Sequence, residues 1–244
     1  MKKFFRNNGL SVVLAAIFLF TMVGQILTGW HDHNQEQREH GEAAVGLGEY
    51  LRSGHFWEAT AENWESEFLQ MAMFVVLTVM LCQKGSAESK DPDEENDPLD
   101  SDPRLARHEP DAPWPVKRGG VALWLYSNSL STVFVLLFLA SFWVHAVGGA
   151  KEYSSAQQAH GQPGVTAVQY LGTSRFWFES FQNWQSEFLS LFCMVVFTIF
   201  LRQHGSKESK PVAAPHSETG DEQPARVPVQ VPVDEEGEPV AQPA

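Results

Sequence analysis

The chain has 244 residues, a net charge of −13 at pH 7 and a mean hydropathy of −0.22, averages that suit an acidic soluble protein. The acidity excludes nucleic acid as a partner, because no basic patch is available to neutralise phosphates. Cys82 and Cys193 lie inside apolar segments at unrelated positions, which excludes a disulfide framework and a thiolate zinc site.

The apolar residues are concentrated in four segments, and these predict membrane-spanning helices. The segment from Leu10 to Thr28 has nineteen residues without a charge, close to the ~20 that a helix needs to cross a ~30 Å hydrocarbon core. The segment from Ser127 to Gly149 is similar. Those from Phe68 to Gln83 and from Phe188 to Leu201 are shorter, so each must extend backward into the preceding polar turn to cross.

A cleaved signal peptide is the alternative for the first segment, because Lys2, Lys3 and Arg6 give it a basic start. The apolar run is longer than that of a usual signal peptide, and no A-x-A-like site follows it. A buried helix of a soluble protein is a weaker alternative for so long an uncharged run. We therefore predict that this segment is a retained span.

An internal repeat with an offset of 120 residues is the strongest feature of the sequence. Twenty of the forty-one positions from 50 to 90 are identical to those from 170 to 210, without a gap. Each copy contains two predicted spans, an even number, so both copies enter the membrane in the same direction. The sequence thus predicts an all-α integral membrane protein with four transmembrane helices, arranged as two tandem parallel helical hairpins.

This repeat divides the chain into four parts, with residues 1–85 as the first two-span repeat and residues 117–210 as the second. Residues 86–116 are rich in Asp, Glu and Pro, and residues 211–244 alternate Pro, Val and acidic residues. Neither segment can bury enough apolar surface to offset its chain entropy. We predict a disordered linker and a disordered tail; a tail that docks on another protein is the alternative.

The basic residues predict the orientation. Thirteen of the seventeen Lys and Arg residues lie on the side of the N-terminus, and basic residues accumulate on the cytoplasmic side of membranes. Both termini and the linker are therefore predicted to be cytoplasmic, with the two long hairpin loops outside. Tryptophans where an interfacial aromatic belt is expected include Trp57, Trp64, Trp177 and Trp184.

The polar turn before each short span is the best candidate for a functional site. A span that reaches back to Asn63 places Glu67 about one helical turn inside the hydrocarbon edge. A carboxylate there is costly unless it faces the bundle interior, is neutralised or is paired. Asn183 and Glu187 have the same positions in the second repeat. We therefore predict an intramembrane polar site made of these four residues.

Three functions fit this site. The first is structural, and we favour it: Glu67 and Glu187 accept hydrogen bonds from neighbouring helices and so anchor the helices to each other. In the second they form a cation or proton site of a small transporter or channel. In the third the protein is a structural or regulatory partner in a larger membrane complex. The lipid bilayer is the predicted partner, with a homo-oligomer or a larger membrane complex as further partners.

One histidine pair is present in both repeats, and another histidine is present in only one. His40-Gly41 and His160-Gly161 occur in both copies, which predicts a loop turn where glycine ends a segment and histidine caps or packs on the loop. His145 occurs in one copy only, near a predicted helix end, and we interpret it as a satisfied interfacial side chain.

Other chemistry is weakly indicated. His31, Asp32 and His33 with His40 and His55 could ligate zinc, since imidazole and carboxylate are ordinary ligands, but their spacing is not diagnostic and we predict no metal site. No nucleophile motif, phosphate loop, nucleotide fingerprint or zinc-protease signature occurs in the sequence. We therefore predict that the protein is not an enzyme and has no cofactor.

Four sequence blocks resemble a bacterial membrane-protein family known only as domain of unknown function 6766. They are Asn8-Gly9-Leu10-Ser11, Gln37-Arg38-Glu39-His40-Gly41, Asn63-Trp64-Glu65-Ser66-Glu67-Phe68-Leu69 and Gly85-Ser86-Ala87-Glu88-Ser89-Lys90. The resemblance covers residues 1 to about 210 without the linker and the tail. It implies a bacterial, multi-pass, four-helix protein of the cytoplasmic membrane and brings no catalytic or binding residues with it.

Overall fold

A computed structural model describes residues 2–39, 41–94 and 97–220 of the chain, and within these ranges the fold is helical with no β-strand. Two 3-10 helices, Pro98–Asp100 and Pro103–His108, lie in the middle of the chain. The α-helices are α1 (Lys2–Glu39), α2 (Leu47–Tyr50), α3 (Gly54–Met80), α4 (Trp114–Arg118), α5 (Gly120–Ser127), α6 (Ser129–Ala159), α7 (Ala167–Tyr170) and α8 (Ser174–Phe200).

Three helices of the described chain are long and apolar enough to cross a membrane: α1 from Lys3 to Glu39, α6 and α8. Their apolar stretches are almost wholly exposed in the isolated chain, which is the surface that a helix presents to lipid tails. Helix α3 has the same length as α8, 27 residues, but it is not among the helices apolar enough to cross a membrane, since its first half carries four glutamates. Of the four predicted spans, three are therefore supported by length and composition.

Two asparagines interrupt the helices at the same place in each half of the chain. Asn8 has non-helical backbone angles inside α1 (φ −130°, ψ 16°), and Asn128 separates α5 from α6 (φ −113°, ψ 12°). The Asn8 side-chain amide donates to the Phe4 carbonyl at 3.0 Å, and that of Asn128 donates to the Trp124 carbonyl at 2.8 Å. Such local bonds compete with the helical ladder, which accounts for both breaks.

The described chain separates into two compact units, one made of residues 2–76 and 113–190 and the other of residues 77–112 and 191–220. The first unit contains a small core in which Ala146, Ala150, Tyr170 and Phe176 are buried. Aromatic rings dominate this core, with Tyr170 and Phe176 packed edge to face at 5.7 Å. This unit also contains every polar residue of the candidate site described below.

The second unit contains two copies of the Gly-Ser-x-Glu-Ser-Lys segment, and both fold alike. Ser89 Oγ accepts from the backbone N–H of Gln83 at 2.7 Å, as Ser209 Oγ does from the backbone N–H of Gln203 at 2.9 Å. Lys210 is 1% exposed. Its ammonium lies within hydrogen-bond distance of four backbone carbonyls, those of Gly85, Pro215, His216 and Glu218. These contacts hold the backbone from Pro215 to Glu218 around the Lys210 ammonium.

The segments for which the sequence predicts disorder therefore carry local structure where they are described. In residues 86–94 and 97–116 the two 3-10 helices and ion pairs such as Lys90–Asp100 provide it, and in residues 211–220 the carbonyls that receive Lys210 do so. The physical reason is that short polar segments satisfy their backbone groups by turns and side-chain bonds without an apolar core. Residues 221–244 of the predicted tail lie outside the described residues.

Candidate functional site

The predicted carboxylates Glu67 and Glu187 lie close enough to interact electrostatically, but neither lies in the centre of the first unit. Glu67 is exposed and Glu187 is half-buried. Between their helices, the Gln70 amide donates to the Glu187 backbone carbonyl and to Ser190 Oγ, both at 3.0 Å. The contacts at this pair therefore come from Gln70 and from the backbone.

The predicted asparagines make different contacts in the two halves. Asn63 is exposed, and its amide donates to the Ala59 carbonyl at 2.7 Å within the same helix. Asn183 is half-buried and donates to the carboxylate of Glu62 and, at 3.2 Å, to the Glu179 carbonyl. Asn183 thus joins α8 to α3, whereas Asn63 makes no such link among the hydrogen bonds of the described chain.

Of the four predicted interfacial tryptophans, one donates a hydrogen bond to a buried carboxylate. Trp57 and Trp177 are 40% and 39% exposed, and Trp64 packs beside Phe18 at 6.4 Å between ring centres. Trp184 differs, because its indole N–H donates to Glu65 Oε1 at 3.0 Å. The interfacial position of Trp57, Trp64 and Trp177 therefore stays a prediction, whereas Trp184 also binds a buried carboxylate.

The repeated loop turns have the geometry that glycine favours. Gly41 and Gly161 have φ angles of +76° and +70° after α1 and α6, a left-handed conformation at which helices commonly end. The His160 imidazole donates from Nδ1 to the Ala156 carbonyl at 2.8 Å and is exposed, so it closes the last turn of α6. His40 lies outside the described residues.

A buried polar cluster lies where α3, α6 and α8 meet, and we call Glu65, His145 and Glu179 the His145 centre. His145 and Glu65 are 0% exposed, and Glu179 is 9% exposed. His145 Nδ1 lies 2.8 Å from Glu65 Oε2, and its Nε2 lies 3.5 Å from Glu179 Oε2. A protonated imidazole donates from both nitrogens, whereas a neutral one donates from only one, so a proton on His145 satisfies both carboxylates.

Further polar groups hold Glu179 in place. The Tyr170 hydroxyl donates to Glu179 Oε2 at 2.5 Å, and Glu58 Oε1 lies 3.3 Å from the same hydroxyl oxygen. Arg175 Nε donates to Glu179 Oε1 at 2.5 Å. Burial, then the hydrogen bond to Glu179 and the charge of Glu58, raise the pKa of Tyr170 well above its ordinary value. Tyr170 therefore remains a phenol that donates at any physiological pH.

Glycine allows the helices of the centre to approach closely. A Cβ on Gly148 of α6 would lie 2.6 Å from the Glu58 amide nitrogen of α3, and one on Gly54 would lie 2.7 Å from the Gly148 carbonyl oxygen. Small residues permit this backbone contact between membrane helices. The Phe176 ring then covers the His145 imidazole in a stacked arrangement, with ring centres 4.7 Å apart.

An acidic cavity of about 510 Å³ leads to one side of the centre. Five glutamates line it against a single cationic side chain, Arg175: Glu36, Glu58, Glu62, Glu152 and Glu179. Glu179 faces both the cavity and His145, so its carboxylate connects the buried imidazole to a space that water or small cations can enter. A lining of this charge attracts cations and repels anions.

The sequence interpretation missed the three residues of the centre. The sequence predicts an interfacial side chain at His145, but His145 is fully buried between three helices because each ring nitrogen has a carboxylate partner there. Its signal was being the one titratable residue in the apolar run from Ser127 to Gly149. Glu65 lies inside the repeated block, but Gln185 replaces it in the second copy, which hid it from a search for shared residues.

The fold and the site define a helical membrane-type protein with three helices able to span a bilayer and a buried His–carboxylate centre. Residues 1–221 match a protein family described as a domain of unknown function, DUF6766. The chain belongs to this family, which confirms the resemblance drawn from its sequence blocks and extends it through the linker. No curated protein and no solved structure matches the chain.

Proposed function

We propose that the protein binds and passes protons through a membrane, with the His145 centre as the titrating site. The observation that carries the proposal is the contact of Glu179 with both the acidic cavity and a fully buried imidazole. Ionisable groups inside a membrane bundle are costly and commonly mark ion or proton paths. The proposed activity is transport and not enzymatic chemistry.

The arrangement of charges around His145 supports a proton site in particular. Glu65 faces it from α3 and Glu179 from α8, with further charged or titratable groups nearby: Glu58, Glu62, Tyr170 and Arg175. A proton that enters the cavity reaches Glu179, then His145 Nε2, and then leaves from Nδ1 toward Glu65. Each transfer is between groups in or near hydrogen-bond range, which is the geometry that a relay requires.

A flux measurement tests this proposal. In liposomes that contain the purified protein and a pH-sensitive dye, an imposed potential should drive proton entry faster than in empty liposomes. His145→Gln should lower that rate at least tenfold, because the amide cannot accept and release a proton on this path. His160→Gln is the matched control, since that histidine is exposed and touches only its own helix, and it should keep the parent rate.

Two outcomes contradict the proposed site. A parent protein that carries no proton flux above empty liposomes ends the transport proposal. A normal flux in His145→Gln, together with a lost flux in Glu67→Gln with Glu187→Gln, assigns transport to Glu67 and Glu187. Helicity and elution volume in detergent distinguish loss of the site from loss of the fold.

A structural or accessory membrane component is the second candidate, either as a homo-oligomer or as part of a larger membrane complex. The supporting observation is that the His145 centre joins three helices through bonds to Glu65 and Glu179, with Trp184 as a further donor. A fully satisfied network of this kind can serve stability alone. Absence of flux in the parent protein favours this candidate.

We further propose the complete topology: four spans, with α3 as the fourth, formed by duplication of a two-span hairpin. Matched contacts at an offset of 120 residues support the duplication. Asn34 exchanges hydrogen bonds with the backbone of Val45, as Ser154 does with Val165. Similarly, the ring of Tyr50 covers Gly29, and that of Tyr170 covers Gly149.

Reporter fusions test the topology and the proposed location in a bacterial inner membrane. With both termini cytoplasmic, a periplasmic reporter fused after Gly46 should be active and a cytoplasmic one inactive, and fusions after Pro92 should show the reverse. This follows from the excess of basic residues on the terminal side. A cytoplasmic signal at Gly46 overturns the orientation, and equal signals at Gly46 and Pro92 overturn α3 as a span.

A further inference from the structure

A second cluster of chemically active side chains lies at the rim of the acidic cavity. His33 and Glu36 lie one turn apart on α1, and His55 is the second residue of α3. The candidate ligand atoms of these three side chains lie within 4.8 Å of one another. Positions i and i+3 share one face of a helix, so α1 presents its imidazole and its carboxylate together toward His55.

One atom of the cluster has no hydrogen-bond partner among the described residues. His33 Nδ1 is buried and unpaired, although buried polar atoms are nearly always satisfied. The His33 and His55 rings lie 5.1 Å apart between centres, so the unpaired nitrogen is in a site that already contains a second imidazole. A bound cation would satisfy this nitrogen.

The surroundings favour a cation. Glu36 and His55 line the acidic cavity together with four other glutamates. Tyr50 packs beside both histidines, with ring centres 5.7 and 5.8 Å away. The carboxylates that line the cavity give this place a negative potential, which favours a bound cation.

We infer that His33, Glu36 and His55 bind one divalent transition-metal cation of the Zn²⁺ class at the rim of the acidic cavity. Two imidazoles and one carboxylate form an ordinary ligand set for zinc, with metal–ligand distances of about 2.0 to 2.2 Å. In a tetrahedral site, donors lie roughly 3.4 Å apart. Side-chain rotations that move the ligand atoms by about an ångström bring them from their present spacing, within 4.8 Å of one another, to the spacing of a tetrahedral site.

This site goes beyond the proposed proton path, because its ligands are none of the relay residues Glu179, His145 and Glu65, although Glu36 and His55 line the same cavity. It also limits the number of sites to one in each chain. The positions offset by 120 residues from the three ligands are Tyr153, Ala156 and Arg175. Arg175, which replaces His55, has a positively charged side chain that cannot ligate a metal cation. The duplicated region therefore has this ligand set in its first half alone.

Metal titration tests the site. Protein purified without a histidine tag and stripped with chelator should bind about one Zn²⁺ per chain, measured by competition with a chromophoric chelator and by metal analysis after desalting. His33→Ala, His55→Gln and Glu36→Gln should each weaken binding at least tenfold, because each removes one of three ligands. Co²⁺ should give an absorption spectrum of a nitrogen and oxygen site, which His55→Gln abolishes.

The matched control is His31→Ala, a neighbouring histidine whose ring packs on Trp30, and it should retain the parent affinity. His55→Gln keeps the volume of the side chain, so a fold lost in His33→Ala does not decide the result. No zinc binding by the parent, or equal binding by the parent, His55→Gln and Glu36→Gln, overturns the inference. His145→Gln should bind zinc normally even if it loses proton flux, so this site and the proposed transport site can fail separately.

Discussion

Replacing His145 with alanine should destabilise the protein by about 3–5 kcal/mol, the cost of removing one partner of a buried ionic cluster. The imidazole lies between two carboxylates, and both Glu65 and Glu179 are nearly or fully buried. Without it, two like charges face each other in a medium that solvates them poorly. Chemical or thermal unfolding in a mild detergent, followed by circular dichroism, measures the loss.

Gln25→Ala is the matched control for this variant. Gln25 occupies the position 120 residues before His145, and its amide donates one neutral hydrogen bond to Thr60 Oγ1 at 3.1 Å. Its removal should cost only about 1 kcal/mol. In the variant His145→Ala with Glu65→Gln and Glu179→Gln, much of the stability should return because the buried charges are gone. If His145→Ala and Gln25→Ala lower the free energy of unfolding equally, then His145 does not stabilise the two buried carboxylates beyond an ordinary hydrogen bond.

Replacing Gly148 with alanine should be the second large effect, a loss of about 3 kcal/mol, at the upper end of the range for overpacking. The new Cβ would lie 2.6 Å from the Glu58 amide nitrogen and 3.0 Å from the Trp57 carbonyl carbon. Both neighbours are backbone atoms of α3, which cannot rotate away, so α3 and α6 must separate. The same detergent unfolding measurement applies.

The control for this prediction is Gly24→Ala in α1. Gly24 is also inside a long helix, but a Cβ there meets nothing within 4 Å. Alanine favours helices over glycine by up to about 1 kcal/mol, so this change should be neutral or stabilising. If Gly148→Ala proves as harmless as Gly24→Ala, the close contact between α3 and α6 does not exist in the membrane.

The sequence alone determined the features that depend on local rules. The helical class and the apolar segments followed from composition and helix length, and three of the four segments are supported as spans. The breaks at Asn8 and Asn128 and the equal turns after Gln83 and Gln203 were not predicted, but they too involve residues within a few positions of each other. Repeated sequence therefore produces repeated structure at these places.

Only the tertiary structure decided which carboxylates are buried. Glu65 and Glu67 are two residues apart, so they point about 200° apart around α3, and the sequence does not say which side faces the bundle. The structure turns Glu65 inward, toward His145, and leaves Glu67 exposed. The α6 partner of Glu65, His145, has Gln25 at the matching position of the first repeat, and Gln185 replaces Glu65 itself in the second. Identity between the repeats therefore points to Glu67 and Glu187 instead. The close approach of three helices, which local sequence rules do not specify, makes this choice.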